Sequence, residues 1–230
     1  MSKALALTAA LLPLVACAPR AVIPDSERER VHHQLAGEQR WLRAASYAAP
    51  LWGDHTRVLL ADQPLSELEL VLSAGGDPIP PPPAERILAP GTPARVLDVE
   101  FPTGWTIARR VVMTPRYHPW ALVEVPGDSR PHVVVLSQTA VSFEDVRAEL
   151  DRVLTKDDPT SLFAALPEEQ RAAVMKKELV EGMGPRAVEM AWGLPEKKKI
   201  DRPAATEEWT WPAGKRRAFL QEERLVRWEK

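Results

Sequence analysis

One cysteine, Cys17, stands in 230 residues, so no internal disulfide can form and whatever folds here is held by packing alone. Long apolar runs are missing too. The run over residues 4–16, interrupted by Thr8 and Pro13, falls short of the about 20 residues that a membrane-spanning helix needs. Charge of one sign is lacking: 30 Lys+Arg against 32 Asp+Glu leave a net charge of −2, which provides no basic field for nucleic acid. The five histidines, His32, His33, His55, His118 and His132, stand at no zinc-ligand spacing from a second His, Cys or carboxylate. No Gly-x-Ser-x-Gly elbow, phosphate loop or dinucleotide fingerprint occurs. The expectation is a non-enzyme with no metal and no cofactor. Tyrosine is scarce at 2, whereas tryptophan reaches 8 and proline 23, which describes a folded chain with stiff connections.

What is present begins with Lys3 and the apolar run behind it, the layout of a signal peptide over residues 1–16. Its end, Leu14-Val15-Ala16-Cys17, resembles the lipobox of bacterial lipoproteins. That resemblance implies cleavage before Cys17 and acylation of Cys17 by palmitate-like chains, and two or more chains on one residue anchor a protein stably where one does not. By the sorting habit of that family, Ala18 in place of Asp implies the outer membrane, in a source that has one, and a body facing the periplasm. Residues 17–25, with Pro19 and Pro24, read as the tether.

Residues 26–155 read as an N-terminal helix and a β-rich domain. Val31, Leu35 and Leu42 recur at helical spacing, which predicts an amphipathic helix over 26–47. A strand is expected over 57–61. Pro64 followed by Leu65, Leu68 and Leu72 and then Gly75-Gly76 predicts a further helix. The four prolines 80–83 favour a stiff polyproline II connector. Short strands are expected over 94–101, 111–113, 120–125 and 132–136, and turn-rich separators between them suggest a small SH3-like barrel. Gly91-Thr92-Pro93 resembles the opening of bacterial SH3-type wall-binding modules, which implies peptidoglycan or another glycan as ligand. Ser142-Phe143-Glu144-Asp145 is a capping box for a helix over 143–155.

A linker is expected over residues 156–166, followed by a module over 167–230. Pro167 opens one helix, and Pro185 opens a second that ends at Gly193. Lys197-Lys198-Lys199 reads as a solvated loop, and three strands over 206–211, 216–220 and 224–229 complete an α+β unit. Gly182-Met183, Val188, Trp192-Gly193-Leu194-Pro195 and Glu208-Trp209-Thr210-Trp211 resemble the BamE/SmpA-like outer-membrane lipoprotein family. The likeness spans about the last 60 residues, by number, of the chain. It implies a small adaptor that helps proteins assemble into the outer membrane, with an envelope protein as partner.

Two places are candidates for binding. Arg116, Tyr117, His118 and Trp120, with Arg109, Arg110 and Trp105 nearby, mix aromatic and cationic groups around a proline-bounded loop. Lys197, Lys198 and Lys199, together with Lys215, Arg216 and Arg217, flank one strand and would attract anionic lipid headgroups or an acidic partner. The functional expectation is a membrane-anchored binding adaptor or scaffold of the cell envelope; the alternative is a wall- or glycan-binding lipoprotein that uses the middle domain.

Overall fold

Asp25 opens the first helix, α1 (Asp25–Leu35), and Gly37 closes it at φ +83°, a left-handed turn that a residue with a Cβ resists. The helix expected over 26–47 is therefore corrected. Its second half is β1 (Gln39–Leu42) and the beginning of β2 (Ser46–Leu51), and Leu42 is buried on a strand instead of continuing a helical stripe. The computed structural model describes residues 23–230; the expected leader, Cys17 and the tether up to residue 22 lie outside the described residues.

Six further strands, β3 (Asp54–Ala61), β4 (Arg86–Leu88), β5 (Pro93–Glu100), β6 (Trp120–Glu124), β7 (His132–Val135) and β8 (Leu154–Thr155), join β1 and β2 in one mixed sheet of order β4–β2–β3–β7–β6–β5–β1–β8. Its pairs are antiparallel apart from β3 with β7. The small barrel expected here is corrected to an open sheet. β1 and β8 extend it beyond β5, β2 and β4 extend it beyond β3, and the two outermost strands do not pair with each other.

One face of the sheet is covered by α1 and by α3 (Phe143–Val153), over Leu42, Val96, Val123 and Val134. The predicted capping box holds α3: Ser142 Oγ accepts from Asp145 N, and the Asp145 carboxylate accepts from Ser142 N. The other face carries Leu59, Trp120 and Val133, covered by Leu65, Leu68, Leu70, Val71 and Ile79. Those covering residues explain why the helix expected after Pro64 is a single 3₁₀ turn, Leu65–Glu67, followed by extended chain. Leu65, Leu68, Leu70 and Val71 together would spread over more than half of a helix's circumference, wider than one stripe, and Ile79 N donates instead to Val71 O while Trp52 Nε1 donates to Ile79 O. The strand expected over 111–113 is also corrected. Those residues are an exposed turn after α2 (Gly104–Arg109), with no strand beside them to pair with.

The second sheet is antiparallel, β12–β11–β10–β9, from β9 (Lys197–Asp201), β10 (Thr206–Thr210), β11 (Arg217–Gln221) and β12 (Arg224–Glu229). Lys197, Lys198 and Lys199 are thus strand, not loop, and they pair with Thr210, Trp209 and Glu208. An outer strand tolerates lysines because its free edge stays in water, and the charges discourage pairing with another chain. Two helices, α5 (Glu168–Met175) and α6 (Pro185–Trp192), back this sheet over Val174, Val188, Leu220, Leu225 and three buried tryptophans. Trp192 and Trp211 meet edge to face at 5.1 Å between ring centroids, and their indole N–H groups donate to Lys177 O and Gly193 O.

The two sheets belong to one packed body. Ala45 and Ile87 from the first contribute to the core of the second, Ala45 N donates to Met190 O at 2.8 Å, and Arg152 donates to Leu194 O. The stretch over 156–166 carries α4 (Thr160–Ala164), and its Phe163 and Leu166 pack on the second core.

Candidate functional site

The loop from β5 to β6 is clasped from inside by Arg110. Its guanidinium lies 3.6 Å over the Trp120 ring and donates to Glu100 O, a Glu100 carboxylate oxygen, Arg116 O and His118 O. Burial pulls the Arg110 pKa down to about 10, against the raising effect of Glu100. Trp120 is fully buried and donates through Nε1 to Pro115 O. His118 is turned inward, with Nδ1 2.8 Å from Leu136 O and Nε2 2.9 Å from Gln138 Nε2. Burial lowers its pKa, more than the Leu136 carbonyl raises it, so the ring is neutral with Nδ1–H donating. His118 and Trp120, expected to bind, are therefore structural.

What remains outside is a set of exposed side chains on α2 and the loop that follows it. Trp105 is 73% exposed, Val112 69% and Met113 47%, with Val111 and Tyr117 beside them. Arg109 lies over the Trp105 ring at 5.7 Å, and Arg116 over the Tyr117 ring at 5.1 Å. Of the predicted residues, Arg116 and Tyr117 stay on this surface. Val111, Val112 and Met113 join it from the stretch expected to be strand. The available signal against a strand is their position between Arg110 and Thr114-Pro115, which leaves no room for pairing.

The cations of the second unit do not meet in one patch. Lys198 pairs with Glu189 at 2.6 Å and sits 3.8 Å over Trp209, and Lys215 reaches Glu69 of the first unit at 2.9 Å. Arg216 is buried, with Nε 3.0 Å from Glu67, while Arg217 pairs outward with Glu208 and Glu229. Lys197 and Lys199 are exposed on β9. Alternation along β11 is the reason: Arg216 precedes the strand on the inner side, and Arg217 points to the outer face. On that outer face Phe219 lies between Arg217 at 5.1 Å and Arg227 at 3.9 Å.

A cleft of about 340 Å³ opens past the carboxyl ends of the parallel pair β3 and β7, lined by Asp62, Glu67, Glu69, His118, Glu149 and Arg152 among others. Burial raises the Asp62 pKa, opposed by Lys177, Arg152 and Arg216. Lys177, whose ammonium donates to Ala45 O and Ala191 O, is pulled down to about 8 by burial, with Asp62 opposing. These groups bind the two units together, and His118 is committed to Leu136 and Gln138. Among the described residues no group of three or more His, Cys, Asp or Glu is placed to hold a metal ion, and no helix is long and apolar enough to cross a membrane. Comparison of the chain with protein-family models, curated proteins and solved structures gives no significant match.

Proposed function

We propose that this protein is a lipid-anchored, non-catalytic adaptor of the bacterial cell envelope, tethered through Cys17 and binding an envelope protein through its second unit. The observation that carries this reading is the division of labour in that unit. The residues behind the adaptor-family resemblance serve the fold, since Gly193 caps α6 at φ +79° and Trp192, Trp209 and Trp211 form the core. The outer sheet face, with Phe219 held between two arginines, and the open edges of β9 and β12 are left for association. An aromatic flanked by arginines on a rigid sheet is the composition of an interface anchor.

The test is affinity purification of the tagged full chain from membranes, beside its Phe219→Ala/Arg227→Glu variant. Near-stoichiometric recovery of an outer-membrane assembly protein with the wild type, lost in the variant at unchanged thermal stability, supports the reading. Equal recovery with both removes the outer face from it. A mass increase of acyl chains that disappears in Cys17→Ala tests the anchor separately.

A further inference from the structure

We propose that α2 and the turn that follows it form a membrane-contact element that lies on an anionic phospholipid surface. Trp105, Val112 and Met113 enter the interfacial region, and Arg109 and Arg116 meet the phosphates. The inference rests on the lipid-anchor reading and adds a second attachment to it, on the first unit.

Composition is the first ground. Residues 101–123 hold three arginines, Arg109, Arg110 and Arg116, and no Asp or Glu, in a chain whose net charge is −2. Arg110 is buried beneath the loop, so the two arginines that reach its surface are those beside the exposed rings. The mix of side chains is the second. Trp and Tyr are amphipathic rings suited to the headgroup level, Val and Met extend the apolar area, and arginine forms paired hydrogen bonds with phosphate. Rigidity is the third. Trp120 below and the four acceptors of Arg110 hold the turn in shape while its tip stays in water. A preformed projection loses little conformational freedom on docking.

The course of the chain before the body supplies the argument that selects a membrane. Gly37 N donates to Val96 O and His32 meets Asp98, so α1 runs antiparallel to β5 and its start points toward the Glu100 end, the end from which α2 departs. Cys17 lies seven residues before Pro24, a reach of about 25 Å when fully extended. The described chain therefore begins at the end of the sheet from which α2 departs, and the segment that leads to an acylated Cys17 starts there. Polybasic contacts near an anionic surface contribute about 1 kcal/mol per charge, close to fivefold each.

The experiment uses the full chain isolated from membranes and reconstituted in vesicles, either of phosphatidylcholine alone or of equimolar phosphatidylcholine and phosphatidylglycerol. Val112→Cys carries an environment-sensitive fluorophore, and lipids with a nitroxide on the acyl chain act as quencher. Ser129→Cys, in the exposed turn at the other end of β6, is the reference. An acylated Cys17 takes no label, so one label per chain also reports that the anchor is in place. If two labels are found, the anchor reading fails, and the same quenching is read with the chain added to preformed vesicles at low salt. The expected result is strong quenching at position 112 on the phosphatidylglycerol vesicles, weaker on phosphatidylcholine, and little at 129. Arg109→Gln and Arg116→Gln should each lower the ratio of docked to free loop about fivefold. Equal quenching at 112 and 129 overturns the proposal, and equal quenching on the two lipids overturns its anionic part. Exposure of 112 on both vesicles with protection only in native membranes overturns it in favour of a protein partner.

Discussion

Trp105 and the Trp192–Trp209–Trp211 cluster use the same side chain in opposite ways. Inside the second unit each indole is closed in by apolar neighbours, and the N–H groups of Trp192 and Trp211 end on backbone carbonyls. Trp105 stands in water with a guanidinium over its ring. The first arrangement stabilises the fold, because burial of so large a ring removes apolar area from water and satisfies its only donor. The second contributes little to folding and keeps the same area available for another surface. A tryptophan's role here follows from what surrounds its ring.

Trp211→Ala should cost about 3–5 kcal/mol, read as a fall in the urea midpoint, whereas Trp105→Ala should stay within about 0.5 kcal/mol. Similar losses for both would erase the distinction. A somewhat smaller effect is expected at the junction of the two units. Gly193 sits at φ +79°, and a Cβ there would collide with the Asp62 carboxylate, so Gly193→Ala should cost about 1–3 kcal/mol. Adding Asp62→Ala should recover the steric part and leave the backbone part, and strict additivity of the two changes would show that the collision is not felt.

The acid limb of stability sharpens the contrast between wet and dry side chains. His118 and His132 have pKa values lowered by burial, so the folded state holds them neutral while the unfolded chain protonates them near the ordinary value. Their contribution is present above about pH 6.5 and is lost as pH falls below it, toward the folded-state values. His132, with both ring nitrogens buried and unpaired on β7, should lose its share of that dependence in His132→Leu, measured by urea titration at several pH values. The smallest effect belongs to the exposed pair Lys215–Glu69. Lys215→Ala should cost between about 0 and 1 kcal/mol and fade with salt. A larger loss would mean that this contact, and not the buried junction, holds the units together.

Legibility followed the range of the interaction. The capping box at Ser142, the Pro185 to Gly193 helix and the final hairpins are written within a few residues, and the fold follows them. Leu42 misled because a seven-residue step from Leu35 suits a helix, and only Gly37 marked the break. The leucines after Pro64 misled because extended chain lying on a sheet buries them as well as a helix would. Lys197, Lys198 and Lys199 looked like loop because their strand is defined by pairing with β10, which no local pattern announces. Within the candidate site, Arg116 and Tyr117 were legible as surface. The inward turn of Trp120 depends on Arg110 and Pro115, a geometry that composition does not encode.

The placement of β1 has a consequence for the order in which the molecule can assemble. β1 lies between β5 and β8, so its second edge stays bare until residues 154–155 arrive. Ala45, just beyond it, waits longer still, for a core built from residues 173–225. Such distant pairings make folding slow and leave strand edges unprotected meanwhile. A chain emerging amino end first therefore keeps the first sheet incomplete until residues 154–155 are delivered, and Ala45 and Ile87 uncovered until the second core follows. Cutting it between the sheets, within residues 156–166, would strip Ala45 and Ile87 of their cover and yield two adhesive fragments instead of two domains.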